Sequence, residues 1–111
     1  MKRQLAMLAG ALALASAGAA SAQALDDKKA DELMKKAGCN ACHTVDKKLV
    51  GPAYKDVAAK HKGQADAAQA LFEKVRKGGA GVYGQVPMPP NPADKISDGD
   101  LKLLVAWILT K

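Results

Sequence analysis

The sequence predicts a small all-α domain of about four helices. Apolar residues recur at helical spacing over residues 28–37, 67–77 and 101–108, and residues 54–60 can form a shorter helix. No segment alternates apolar and polar residues for long enough to be a strand, and no internal repeat is present. The chain of 111 residues therefore has the pattern of a single helical domain.

Each of the first three helices has its own boundary signals. Asp26 and the acidic residue after it favour a helix start, and Gly38 can serve as the stop of this first helix. Gly63 is expected to end the second helix, and the pair Gly78-Gly79 to end the third. The first helix thus finishes directly before the two cysteines of the chain.

The last helix follows a long segment that is rich in glycine and proline, residues 78–96, which excludes regular helix and central strand. Long loops in compact domains are usually functional or flexible, and the prolines favour order here. Ser97 is the predicted cap, with Asp100 in the acidic position three residues on, and Ile96 and Leu101 can form a hydrophobic staple. The apolar stripe that follows predicts a buried helix.

The first 22 residues have the features of an export signal. A positive start precedes an apolar run over residues 5–20, and the small residues up to Ala22 match the pattern that signal peptidase cleaves. An uncleaved anchor would need about 20 strongly apolar residues, and no cysteine lies at the cut to carry a lipid. We therefore expect a signal peptide over residues 1–22, no stable membrane anchor, and a domain over residues 23–111.

The segment C-N-A-C-H, residues 39–43, carries the strongest chemical signal of the chain. It matches the C-x-x-C-H pattern of covalent haem attachment. The thiols of Cys39 and Cys42 can add to the two vinyl groups of one haem from a single helical turn. His43 can then place its imidazole under the iron as the proximal ligand. Because bacteria attach haem outside the cytoplasm, this interpretation agrees with the export signal.

Three other uses of these cysteines are weaker hypotheses. A disulfide between Cys39 and Cys42 would close too short a loop to stabilise the fold much. A thioredoxin-like redox pair is expected in a βαβ setting, which the sequence lacks. A zinc site needs four ligands, and His61 would have to join the C-x-x-C-H segment although nothing in its spacing favours this.

An electron-carrying haem iron needs a second axial ligand, and Met88 is the best candidate. Two of the four methionines fall in the export signal, and Met34 lies on the apolar face of the first helix, where core packing is expected. Met88 lies in P-M-P-P, where prolines stiffen a non-helical backbone. His61 is the rival ligand, although a surface histidine between two lysines is the simpler interpretation.

The charge balance is modestly positive. Removing Lys2 and Arg3 from 17 basic residues leaves 15 against 11 acidic ones, so the formal charge falls from +6 to +4. The lysines are mixed with acids and few aromatics, which argues against a nucleic-acid surface. They form a solvated surface or a ring that steers the protein onto an acidic partner, an effect that salt would weaken.

Four segments together resemble a known family: C-N-A-C-H, L-V-G-P-A-Y-K-D-V-A-A-K, G-V-Y-G-Q-V-P-M-P-P-N and L-V-A-W-I-L. In order and spacing they are similar to the small monohaem class I cytochromes c of respiration and denitrification in proteobacteria. The resemblance covers nearly all of residues 23–111. It implies the class I cytochrome c fold, with about four helices around one covalently attached haem c, and a soluble periplasmic carrier whose iron cycles between Fe(II) and Fe(III).

The resemblance also implies roles for residues around the haem. Pro52 would lend its backbone carbonyl to the free ring nitrogen of His43. Asn91 would support the methionine sulfur, and Trp107 would pack against the first helix and the haem edge. Relatives commonly have Trp where Tyr83 stands, at a position that hydrogen-bonds a haem propionate. Tyrosine can donate such a bond through its hydroxyl.

The function expected from these observations is electron transfer and not catalysis. The resemblance implies redox partner proteins such as a cytochrome bc complex, a nitrite reductase, a terminal oxidase or a cytochrome c peroxidase, bound through lysines near the haem edge. We expect a monomer. The alternatives are a gas sensor or peroxidase-like protein with an open sixth iron position, and a binding or structural protein that uses haem only to hold its fold together.

Overall fold

The structure, a computed structural model, describes residues 25–111. The predicted signal peptide lies outside these residues. Four α-helices follow in order, with a short 3-10 helix, Cys39–Ala41, after the first: α1 (Asp27–Ala37), α2 (Tyr54–Lys60), α3 (Ala67–Lys77) and α4 (Asp98–Ile108). The all-α prediction is confirmed, because residues 25–111 contain only two isolated β-bridges and no strand. No helix in this part of the chain is long and apolar enough to cross a membrane.

The helix boundaries follow the local signals closely. The Asp26 side chain accepts a hydrogen bond from the backbone N–H of Lys29 at 2.7 Å, and Gly38 ends α1 with φ +81°. Ser97 accepts one from the N–H of Asp100 at 3.2 Å at the start of α4. The expected end of α2 differs slightly, since the helix stops at Lys60 and a turn leads on to the glycine.

Helix α4 forms the centre of the core, because it packs against α1, α2 and α3. Leu101 and Val105 on α4 are fully buried. Ile96 is buried beside them in the same cluster, as the predicted hydrophobic staple requires. The packing leaves one side of α4 facing the region between the C-N-A-C-H segment and the loop that carries Met88.

A second contact joins the two ends of the domain. The indole Nε1 of Trp107 on α4 donates to the Asp27 carboxylate of α1 at 2.9 Å. Lys111 pairs with the same carboxylate oxygen at 3.1 Å, and its ammonium lies 4.3 Å from the centre of the Trp107 ring. The predicted packing of Trp107 on the first helix is therefore confirmed.

Candidate functional site

A cavity of about 540 Å³ lies on the open side of α4. Cys39, Cys42, His43 and Met88 all line it, although Met88 is 45 residues beyond His43 in the sequence. Much of the remaining wall is aliphatic, with Leu71, Val75, Ile96, Leu101, Leu104, Val105 and Ile108 among its residues. The fold thus brings together the four residues that the sequence singled out and surrounds them with apolar side chains.

The two cysteines are held on one tight turn. Gly38 ends α1 in the left-handed conformation, and the 3-10 helix begins at Cys39. The backbone N–H groups of Cys42 and His43 both donate to the Cys39 carbonyl, at 3.1 and 3.0 Å. Both thiols are free, and burial raises the pKa of the Cys39 thiol. The turn therefore presents two thiols to the same cavity at a fixed separation.

The imidazole of His43 is fixed through its inner ring nitrogen. Nδ1 lies 2.8 Å from the backbone carbonyl oxygen of Pro52. Because a carbonyl can only accept, Nδ1 carries the proton and donates it, which leaves the lone pair of Nε2 free. The ring also stacks on Tyr54, with centroids 5.3 Å apart and planes 19° from parallel. His43 is therefore held in the tautomer that a metal ligand requires.

A tight loop brings Pro52 back to His43. The N–H of Gly51 donates to the Cys42 carbonyl at 2.8 Å, and the N–H of Tyr54 donates to the Thr44 carbonyl at 2.9 Å. Gly51 runs so close to the imidazole that a Cβ at this position would lie 2.8 Å from Nδ1 and 3.0 Å from Nε2 of His43. A glycine is needed here for space, which the sequence pattern had indicated only as a turn.

The segment that carries Met88 packs against the carboxyl end of α3. Gly79 and Met88 exchange two backbone hydrogen bonds, at 3.0 and 2.9 Å. A Cβ on Gly78 would overlap the Met88 carbonyl oxygen and lie 2.9 Å from Pro89 C and Pro90 N. Gly78 also has φ +69°, in the region that disfavours other residues. Of the two glycines predicted as a helix stop, Gly78 therefore also lets the methionine segment approach the helix, and Gly79 pairs with Met88.

Asn91 is the one buried polar residue among those described. Its side-chain amide donates to the carbonyls of Val75 and Pro89, at 3.2 and 3.1 Å, and its backbone N–H donates to Val75 at 3.0 Å. These bonds tie the segment after Met88 to α3. The expected support of the methionine sulfur by Asn91 stays a prediction, because both side-chain bonds seen here go to backbone carbonyls.

Tyr83 lines the cavity as well, and its hydroxyl is buried without a hydrogen-bond partner. Burial raises the pKa of this phenol. The ammonium of Lys60 lies 5.0 Å from the ring centroid, on the side of α2. A buried donor without a partner costs free energy unless a bound group satisfies it. This orphaned hydroxyl fits the predicted bond to a haem propionate.

The alternative candidates for the second iron ligand do not line the cavity. His61 does not line the cavity and has Gln64 as its hydrogen-bond partner, at 2.9 Å. Met34 is core packing on α1, as expected. Trp107 is not among the residues that line the cavity, and its expected contact with the haem edge stays a prediction. Its ring meets that of Tyr54 edge-on at 6.0 Å, and Tyr54 lines the cavity.

The chain's own residues fit one haem c. Two free thiols, an imidazole with a free Nε2 and a thioether face an apolar cavity whose volume lies in the usual range for ligand sites, roughly 300–1,000 Å³. The unpartnered hydroxyl of Tyr83 adds a donor for a carboxylate. Within residues 25–111, no cluster of three or more His, Cys, Asp or Glu side chains is arranged to hold a metal ion by itself.

Several residues of this site escaped the sequence analysis. Tyr54 lies in one of the segments that carry the family resemblance, but nothing in the sequence indicated that it stacks on His43. Lys48 and Lys74 line the cavity, and no acidic side chain does. Arg76 on α3 holds the segment after Met88. Such roles depend on contacts between distant parts of the chain, so local patterns could not indicate them.

Comparison with known proteins gives one consistent result. The sequence model of the family described as Cytochrome c matches residues 27–111. Cytochrome c-551 of Azotobacter vinelandii is 50% identical over 80 residues, which cover 72% of this chain and 94% of the relative. Cytochrome c-551 of Pseudomonas aeruginosa is 44% identical over 100 residues, 90% of this chain and 93% of the relative.

The fold gives the same answer. The crystal structure of wild-type cytochrome c552 from Nitrosomonas europaea superposes with a TM-score of 0.66 at 52% identity, and the match covers 72% of this chain and 96% of that one. The class 1 cytochrome MtoD from Sideroxydans lithotrophicus superposes with a TM-score of 0.67 at 36% identity, over 78% and 97% of the two chains.

Proposed function

This chain belongs to the cytochrome c family, and we propose that it is a periplasmic one-electron carrier in which His43 and Met88 are the axial ligands of the haem iron. As a member of this family, it carries one covalently attached haem c and transfers electrons. The proposal adds which residues hold the haem, where the protein works and with which partners it reacts.

The observation that carries the proposal is the convergence of four side chains on one cavity. Cys39 and Cys42 supply the two thiols for attachment, from a turn that holds both at the same wall. His43 offers Nε2, because its other nitrogen is committed to the Pro52 carbonyl. Met88 comes from the far segment and supplies a thioether. When bound, the haem contributes one-electron oxidation and reduction at its iron.

The protein's own residues keep this chemistry to electron transfer. The Pro52 carbonyl fixes the proton on Nδ1 of His43 and holds the ring in one orientation, which leaves Nε2 as the nitrogen that would bind the metal. Met88 would fill the second axial position and so exclude water and small substrates from the metal. The aliphatic wall from α4 lowers the local dielectric and limits reorganisation around the site. Within residues 25–111, the two thiols and the imidazole that line the cavity are the groups assigned to the haem, so we propose that the protein is not an enzyme.

The charge around the opening supports docking to acidic redox partners. Lys48 and Lys74 line the cavity, and the exposed side chains of Leu49, Val50, Val82 and Val86 lie beside them. We infer that this face meets an acidic surface of a partner such as a cytochrome bc complex, a nitrite reductase, a terminal oxidase or a cytochrome c peroxidase. Positive charge at the opening would steer the encounter and orient the haem edge toward the partner.

Visible spectra of the purified holoprotein test the axial ligands. We expect sharp low-spin bands in the ferrous state and the weak far-red band of a methionine-bound iron in the ferric state. The variant Met88→Ala should lose the far-red band and bind carbon monoxide rapidly when reduced. The matched control His61→Ala should keep both features, because His61 faces Gln64 and not the cavity.

Other spectra would contradict the proposal in distinct ways. A high-spin wild-type spectrum would indicate an open sixth position and favour the gas sensor or peroxidase-like alternative. A low-spin spectrum that lacks the far-red band and changes in His61→Ala would replace Met88 by His61. Location is tested separately, by whether the mature protein begins near residue 23 and is recovered in the periplasmic fraction.

A further inference from the structure

We propose that Arg76 is a positioning residue for Met88: its guanidinium clamps the chain beyond the methionine onto α3 and so keeps the thioether at the iron. This inference rests on the proposed ligation by Met88. Arg76 neither touches the cavity nor belongs to the motifs that identify the family in the sequence. Its role comes from the contacts that it makes in the folded chain.

The guanidinium reaches three acceptors on two other parts of the chain. Nη1 donates to the backbone carbonyl of Asn91 at 3.0 Å and to that of Ile96 at 2.8 Å. Nη2 donates to the Asp98 carboxylate, at the start of α4, at 2.6 Å. One side chain on α3 thus holds both ends of the segment 91–96 and the first residue of α4.

The surroundings of Arg76 keep it in this position. Its side chain is only 16% exposed, whereas Asp98 is 71% exposed and free to adjust. The guanidinium carbon lies 5.2 Å from the centre of the Phe72 ring, one turn earlier on the same helix, so the ring supports the flat face of the cation. The planar guanidinium carries five N–H donors and can therefore reach three acceptors in different directions. A lysine ammonium does not match this arrangement.

The path from Arg76 to Met88 is short and stiff. Asn91 lies three residues after Met88, and the two residues between them are prolines with restricted backbones. Asn91 is also bonded to Val75, the residue before Arg76. Release of the thioether requires the segment to lift from α3, and lifting it breaks the bonds that Arg76 makes to Asn91. These bonds therefore stabilise the state in which Met88 is seated and are absent from the state in which it has left.

Competition with imidazole measures this coupling in the ferric holoprotein, because imidazole binds the iron only after Met88 leaves. Arg76→Gln removes the guanidinium and its bond to the Asn91 carbonyl, and we expect imidazole to bind roughly tenfold more tightly, because a hydrogen bond from a charged group is stronger than one between neutral groups. The control Lys77→Gln removes the same charge from the neighbouring residue, whose ion pair is with Glu73 on its own helix. It should leave the affinity within about twofold, as expected for an exposed pair.

Further measurements separate positioning from general stability. Arg76→Lys keeps the charge, and its affinity should fall between those of the wild type and Arg76→Gln; it also carries the test if the glutamine variant does not fold. Unfolding by denaturant is followed in parallel. The inference is overturned if Arg76→Gln and Arg76→Lys lower the unfolding midpoint while imidazole affinity stays at the wild-type value, because Arg76 would then support only the fold.

The wild-type spectrum separates a failure of the proposed Met88 ligation from a failure of the role of Arg76. If the wild-type protein lacks the far-red methionine band, the proposed ligation fails and the role of Arg76 fails with it. If the band is present and the Arg76 variants bind imidazole like the wild type, only the role of Arg76 is refuted.

Discussion

Adding one methyl group at Gly51 should displace the imidazole of His43. The new Cβ would lie 2.8 Å from Nδ1 and 3.0 Å from Nε2 of that ring, against a comfortable separation of about 3.5–4.0 Å. The backbone of Gly51 has little room to retreat. Its N–H donates to the Cys42 carbonyl at 2.8 Å, and its carbonyl accepts from Leu49 at 3.2 Å. Either these bonds or the bond from His43 to Pro52 must give way.

The cost can be worked out from these contacts. Overpacking at a tight site costs about 1–3 kcal/mol, and the loss of the bond from Nδ1 to the Pro52 carbonyl adds about 0.5–1.5 kcal/mol. We therefore expect Gly51→Ala to lower the free energy of unfolding by about 2–4 kcal/mol. In a domain of this size, even 2 kcal/mol corresponds to roughly 8–16 °C in the melting temperature.

Thermal and denaturant unfolding of the ferric holoprotein provide the assay, with absorption spectra recorded on the same samples. Gly99→Ala is the control, because Gly99 lies in the first turn of α4 with open space around it. That substitution should stabilise the protein slightly, by up to about 1 kcal/mol. If Gly51→Ala instead melts within about 2 °C of the wild type with an unchanged spectrum, the close approach of Gly51 to His43 is refuted.

Three more predictions concern the core, the ends of the domain and the opening. Without haem, the Cys39→Ala/Cys42→Ala chain should be largely unfolded by circular dichroism, because a cavity of about 540 Å³ would replace its core; a cooperative melt would contradict this. The hydrogen bond from Trp107 and, after it, the bond from Lys111 lower the pKa of Asp27 from its ordinary value of 3.8. The stability that ionised Asp27 contributes is therefore fully present above pH 3.8 and is lost as pH falls through the lowered pKa. Asp27→Asn should accordingly destabilise the protein at neutral pH and less in acid. In stopped-flow measurements, Lys48→Gln should slow reduction by anionic reagents and weaken the salt dependence; an unchanged salt slope would exclude Lys48 from the docking face.

The sequence predicted best what depends on neighbouring residues. The caps at Asp26 and Ser97 and the stop at Gly38 act within one turn, so a local pattern is sufficient to place them. The C-N-A-C-H segment carries its chemistry in five consecutive residues. Met88 is predicted as a ligand because proline lies on both sides of it and every other methionine has a simpler use.

Contacts over long distances in the sequence could not be predicted in this way. Arg76 reads as one more basic residue in the last turn of α3, yet its acceptors lie 15 to 22 residues later. Asp27 reads as a helix start, and its bond to Trp107 spans 80 residues. The pairing of Gly79 with Met88 was hidden in a segment interpreted as irregular. Each of these three contacts depends on how the helices pack, and helix propensity and apolar periodicity carry no information about that packing.

Different kinds of contact hold His43 and Met88 at the two sides of the site. This difference predicts which of the two segments detaches first. On the histidine side, the bonds from His43 to Pro52 and from Gly51 to Cys42 all lie within one short loop. On the methionine side, Met88 depends on Gly79 and on the attachments of the next few residues to α3. Between these points the chain is largely exposed over residues 79–87.

Local opening is easier where few apolar contacts are lost, so the methionine segment should detach without unfolding the rest. In hydrogen exchange of the ferric holoprotein, the Met88 amide should exchange at least about tenfold faster than the Gly51 amide. Arg76→Gln should accelerate the first and leave the second unchanged. Equal protection of both amides, at the level of the core of α4, would mean that the methionine is lost only by global unfolding.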